Sequence, residues 1–130
     1  MNDKQEEKTG IFDSVKPMKC LMGVSFSYKF GRIQIYDSTL SAIGNPEYFK
    51  FLLDDGRSKI AIKACEMNED GAFKSHKTKK GIESYIHCTY FVSFLYDRYH
   101  WKKNSAYLLA GRFYAAQNVV EFDINEAVTL

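Results

Sequence analysis

The chain has only 2 Pro in 130 residues, too few for a proline-rich linker or a polyproline ligand. Its 3 Cys, at Cys20, Cys65 and Cys88, are odd in number and form no C-x-x-C pair. Neither a disulfide framework nor a zinc site is indicated. Buried cysteines in a reducing, cytoplasmic setting are expected instead. No apolar run approaches the ~20 residues of a spanning helix, and residues 1–8 are polar and mixed in charge, unlike a signal peptide. No membrane partner is expected. Charge of one sign is lacking too: 18 Lys+Arg stand against 16 Asp+Glu, a formal charge of +2. Any anion-binding surface is therefore a local patch.

Catalytic signatures are also absent. There is no phosphate-binding P-loop, no dinucleotide glycine fingerprint and no G-x-S-x-G elbow. Asp54-Asp55 lack the alternating ligand spacing of a calcium loop. His87-Cys88 are neighbours on a strand and point to opposite faces. Asp97 and His100, three apart on a helix, fit a surface hydrogen bond. The expectation is a protein that is not an enzyme, with no catalytic residues, no cofactor and no metal.

What the chain does have is aromatic bulk: 10 Phe, 9 Tyr and 1 Trp, within 45% hydrophobic residues. That can furnish one globular core. Residues 1–18 read as a flexible leader, and 19–130 as a single globular domain. Val24, Phe26, Tyr28 and Phe30 alternate with polar residues, which predicts a half-buried strand over 22–30. Gly31 interrupts it, and Ile33 and Ile35 resume the alternation. Asp37-Ser38-Thr39 suits the start of a short helix, with Leu40 and Ile43 as its apolar face and Gly44-Asn45-Pro46 as its stop. Tyr48–Leu53 and Ile60–Ile62 flank Asp54-Asp55-Gly56-Arg57, a hairpin in which Asp-Gly accepts positive φ. Residues 66–81 read as a polar loop, with room for a hairpin extension around Phe73.

Residues 89–101 predict a second helix, capped by Thr89, with Phe91, Val92, Leu95, Tyr96 and Tyr99 on one face and Lys102-Lys103 after its end. Strands are expected at 107–114 and 119–124 around Gln117-Asn118, followed by a loosely packed tail. The fold class is α+β, a small β-barrel of hairpins with two helices. The order strand, helix, hairpin occurs twice, so two pseudo-repeated halves, 19–66 and 82–130, are expected across the polar loop.

Gly31-Arg32-Ile33-Gln34-Ile35, then Leu40, Ile43-Gly44, an Asp-Gly turn and Ile60-Ala61-Ile62 resemble the AbrB/MraZ swapped-hairpin pattern. The similarity covers about residues 30–64. It departs at Tyr36, where the family usually has Pro, and at Ser41, where a basic residue commonly follows the helix Leu. The resemblance implies two copies interlocked as a barrel, in one chain or in a dimer. It also implies a DNA-binding transcription regulator that uses basic residues on the barrel.

The candidate nucleic-acid-binding residues are Lys29, Arg32, Lys74, Lys77, Lys79 and Lys80, whose charge can neutralise phosphates of double-stranded DNA. Tyr28, Phe30, Tyr36 and Tyr48 alternate as core residues do, although aromatic rings can also stack on bases. The alternative reading is a protein-interaction or assembly module of a bacterial or mobile-element system without nucleic-acid binding. It predicts scattered charge and an uncovered apolar patch. A small-ligand binder with an aromatic-lined barrel is a third reading.

Overall fold

Period-two patterning sets the architecture of the computed structural model, which describes residues 21–76 and 83–130. Nine strands form: β1 Gly23–Ser27, β2 Arg32–Tyr36, β3 Tyr48–Asp54, β4 Lys59–Ala64, β5 Phe73–Lys74, β6 Glu83–His87, β7 Ala106–Tyr114, β8 Val119–Asp123 and β9 Val128–Thr129. Helix α1, Asp37–Ala42, follows β2; helix α2, Thr89–Arg98, follows β6. The strand order is β5-β3-β4-β8-β7-β1-β2-β6, with β9 added on β7. The sheet is antiparallel and curls into a nearly closed barrel, in keeping with the expected α+β class. The 1–18 leader, Cys20 and Lys77, Lys79 and Lys80 lie outside the described residues.

β7 serves two ladders in succession. Residues 106–110 pair with β1, and 111–114 pair with β8. Such a stagger is what tilts strands enough to close a barrel. At the changeover, a Cβ on Gly111 would stand 2.6 Å from Val120 Cγ1 and 2.7 Å from Phe122 Cε1, so the neighbouring core fills the space a side chain would need.

Inward positions are apolar. Val24 and Phe26 of β1, Ile33 and Ile35 of β2, Ile60 and Ile62 of β4, and Val120 and Phe122 of β8 are buried. Each fully buried side chain of this size contributes about 1.5–3 kcal/mol before entropy is counted. On the outer side of β1, the Thr39 hydroxyl accepts from Gly23 N at 2.8 Å and donates to Gly23 O at 2.9 Å. Thr39 is fully buried, and these bonds satisfy both it and the strand's first residue.

α2 crosses one mouth of the barrel. Its start touches the β1–β2 turn, where Cys88 N donates to Gly31 O. Its end reaches the β3–β4 turn, where Arg98 Nε and Tyr99 Oη bond Asp55. Ten residues of helix span about 15 Å, and Phe91 fills the opening between Phe26, at 6.0 Å, and Phe51, at 5.2 Å.

Several expectations are corrected. β1 stops at Ser27, so Phe30 leaves the core face and is 67% exposed in the turn. Thr89 does not cap α2; Cys88 occupies that position with no side-chain bond, and Tyr36 likewise precedes α1. The β3–β4 hairpin forms as expected, but its positive φ falls on Ser58 (55°) rather than on Gly56. The pairing expected around Phe73 forms as β5, but with β3 rather than within the loop itself, setting Phe73 opposite Phe49. The C-terminal tail is a strand, β9, and Leu130 N donates to Ala106 O. Cys65 and Cys88 are only partly buried. No bond links Asp97 to His100 among the described residues; Arg98 and Tyr99 are the α2 residues that make side-chain bonds at this end.

In the β3–β4 turn, the Asp54 carboxylate accepts from Arg57 N at 3.2 Å and Arg57 Nε at 2.7 Å. The Arg57 side-chain bond, then its backbone bond, hold the Asp54 carboxyl below the ordinary aspartate range. A depressed folded pKa gives stability that is present above the unfolded value and is lost as pH falls through the folded one. Asp54→Asn should therefore lower the melting temperature at neutral pH. Thermal unfolding followed down the pH scale should bring variant and wild type together in acid.

Candidate nucleic-acid interface

The β1–β2 turn is built from Tyr28-Lys29-Phe30-Gly31, with Gly31 N donating to Tyr28 O at 3.0 Å. Two consecutive residues have positive φ: Phe30 at 69° and Gly31 at 57°. Gly31 has no alternative there. An added Cβ would lie 2.7 Å from Thr89 Cα and 2.7 Å from Thr89 Oγ1. Phe30 adopts a conformation that costs a non-glycine residue about 1–2 kcal/mol. The turn holds it there: His87 Nδ1 lies 3.2 Å from the Phe30 carbonyl oxygen, to which it donates, and α2 clamps Gly31 from the other side.

Cations gather around this turn. Lys29 Nζ stands 5.2 Å from the Phe30 ring centre, Arg32 5.5 Å from that of Tyr85, and Lys103 4.9 Å from that of Tyr28. Arg32 and His87 are cross-strand partners at the turn end of the β2–β6 ladder. Lys103 arrives from the loop after α2 because an aromatic series fixes that loop. Tyr28 packs on Tyr96 at 5.3 Å, Tyr96 on Trp101 at 5.3 Å, and Trp101 stacks on Tyr107 at 4.6 Å. Tyr107 Oη accepts from Lys102 N at 2.9 Å. Tyr96 Oη lies 3.0 Å from Phe26 O and 2.5 Å from Ser105 O, tying β1 to the same loop, and burial pushes its phenol pKa up.

The neighbouring segments 22–36, 84–96 and 98–120 contain neither Asp nor Glu, and are bordered by Asp37 of α1, Glu83 of β6 and Asp97 of α2. Elsewhere, Arg57 pairs with Asp54 and Lys50 with Glu69, both at 2.7 Å, Lys59 with Asp123 at 3.4 Å, and Arg98 with Asp55 at 3.2 Å. Lys29, Arg32, Lys102 and Lys103 have no carboxylate partner among the described residues.

The chain matches no protein-family model, no curated protein and no solved structure. Its site is therefore read from its own geometry.

Of the cations singled out in the sequence, Lys29 and Arg32 lie together. Lys74 lies elsewhere, on β5 opposite Tyr48. Ser75 there bonds Pro46 O and Glu47 O, so Lys74 belongs to the α1 end of the barrel. Tyr28 packs inward as expected, and Tyr36 and Tyr48 are partly buried. Lys102 and Lys103 were legible only as charges following a helix; their place beside Tyr28 depends on the aromatic series.

A cleft of about 600 Å³ lies near Lys74, lined by Glu47, Tyr48, Cys65, Met67 and Glu69 among others. Glu69 is engaged by Lys50 and by Glu66 N, and burial pushes the Cys65 thiol up, away from the reactive thiolate. Among the described residues no cluster of three or more His, Cys, Asp or Glu is placed to hold a metal ion, and no helix is long and apolar enough to cross a membrane.

Tyr96→Phe keeps the rings and removes the hydroxyl that anchors the Lys102-Lys103 loop. A loss of about 1–3 kcal/mol is expected by denaturant titration, since a buried carbonyl loses its donor.

Proposed function

We propose that this protein is a non-catalytic DNA-binding regulator resembling the AbrB/MraZ group. The observation that carries this reading is the grouping of Lys29, Arg32 and Lys103, with Lys102 beside them, around the β1–β2 turn, none with a carboxylate partner among the described residues. Duplex DNA presents dense phosphate charge, and unpaired cations gain by displacing its counterions. Cations already committed to carboxylates gain much less.

The topology supports the swapped-hairpin part of the reading. Exchange β1 with β5, β2 with β6, β3 with β7 and β4 with β8. The β3–β4 pairing then maps onto β7–β8, and β3–β5 onto β7–β1; β4–β8 and β2–β6 map onto themselves, while β1–β2 has no counterpart, since β5 does not pair with β6 among the described residues. Each helix keeps its place, α1 between β2 and β3, α2 between β6 and β7. Two units would interlock in this way, each lending strands to the other; with β5 counted in, the second begins at Phe73 rather than at 82, as the halves 19–66 and 82–130 had it. Under the same exchange, the Lys29–Arg32 turn corresponds to the connection between β5 and β6, whose sequence carries Lys77, Lys79 and Lys80. The β2–β6 ladder pairs Arg32 with His87 and Gln34 with Tyr85 at the β1–β2 turn end, and DNA meeting this end would meet Lys29 and Arg32.

Fluorescence anisotropy with a labelled duplex at rising salt tests the reading. Saturable binding with a linear log–log salt dependence is expected. Replacing Lys29, Arg32 and Lys103 together by Gln should weaken binding roughly tenfold or more and shrink the slope by about 3. Replacing Lys77, Lys79 and Lys80 by Ala tests that basic run separately. Unchanged binding in the first triple variant removes the turn from the site. Absence of binding even at low salt favours the protein-interaction reading, for which half-exposed Leu52, Leu53, Phe113 and Tyr114 at the hairpin ends are the relevant surface.

A further inference from the structure

Phe30 is the one feature of the cationic turn that phosphate binding does not require. We propose that its ring is a wedge that inserts between stacked base pairs of the bound duplex and unstacks them; this rests on the DNA-binding reading above.

The ring is 67% exposed and does no core packing that would justify a bulky residue. Its backbone has φ of 69°, a region that Gly enters freely and Phe does not. The fold therefore carries strain in order to display an apolar ring to solvent. An outlier of this kind, held from both sides, is a mark of function rather than of packing. Tyr28 O, His87 Nδ1 and the backbone of Thr89 fix the turn, so the ring projects from a rigid mount.

The surroundings select the occupant. Lys29 stands against the ring, and Arg32 and Lys103 stand over Tyr85 and Tyr28, without carboxylate partners among the described residues. An apolar ring among cations that no carboxylate neutralises there is complementary to a base step between phosphates. Apolar wedges that enter DNA from a positively charged surface kink it where stacking is weakest, and TA steps give way most easily. Tyr90, 85% exposed in the first turn of α2, gives the same end a second aromatic surface.

The test uses the full chain and a duplex of about 20 base pairs with 2-aminopurine at a central TA step. Wild-type protein should bind and raise the 2-aminopurine fluorescence as the base unstacks. Phe30→Gly should fold at least as stably, because Gly relieves the strained φ. It should bind roughly tenfold more weakly, with an unchanged salt slope and no fluorescence rise. Phe30→Trp should restore the fluorescence rise. Wild-type binding with silent 2-aminopurine, or equal binding by Phe30→Gly, overturns the wedge and leaves the phosphate contacts standing. No wild-type binding at low salt overturns the DNA reading and the wedge with it.

Discussion

Gly31 and Thr89 meet with no room for a side chain between them, and this contact joins the β1–β2 turn to the helix that closes the barrel mouth. Cys88 donates to Gly31 O and His87 to Phe30 O, so the end of β6, the start of α2 and the turn form one unit. With the start of α2 fixed there, its other end lands on Asp55 in the β3–β4 turn, and Phe91 drops between β1 and β3. The aromatic series from Tyr28 to Tyr107 then sets the loop that delivers Lys103. Any residue larger than glycine at position 31 would push the turn off the helix and scatter the cations that it gathers.

The same contact explains how a chain with a formal charge of only +2 can present a cationic end. Surface charges are screened within about 8 Å at physiological salt, so what matters is the sign of near neighbours, not the total. On the β3–β4–β8 side, Lys50, Arg57 and Lys59 are held by carboxylates. Around the β1–β2 turn there is no carboxylate in the adjoining segments to hold the cations. Segregation of this kind costs little in stability, because exposed ion pairs contribute little.

Much of the fold was legible because one period governs it. The alternation in β1, β2 and β4 and the apolar stripe of α2 are local signals, and the barrel with two helices followed from them. What was missed depends on contacts between distant segments. Alternation runs on through Tyr28 and Phe30, and nothing local tells a strand from a turn whose Phe sits at positive φ. Ser58 takes the left-handed position next to a Gly that could have taken it, because Asp54 holds Arg57 and moves the reversal one step along. β9 is two residues long and exists because β7 offers it a free edge. Within the site, Lys29 and Arg32 could be chosen from the sequence. Lys103 could not, since its place beside Tyr28 is made by side chains from three elements.

The strain at Phe30 and the pairing symmetry bear on each other. If the two units interlock as equivalents, the packing that both need lies in the ladders that map onto themselves, β2 on β6 and β4 on β8. The β1–β2 turn lies outside those ladders. It keeps a glycine where the helix demands it and still holds Phe at the preceding strained position, although Gly or Asn would sit there at lower cost. The cost is confined to the turn, where it destabilises no ladder and buries no polar group. The strain thus stands apart from the core, in an exposed turn beside Lys29, Arg32 and Lys103, which touch aromatic rings and have no carboxylate partner among the described residues.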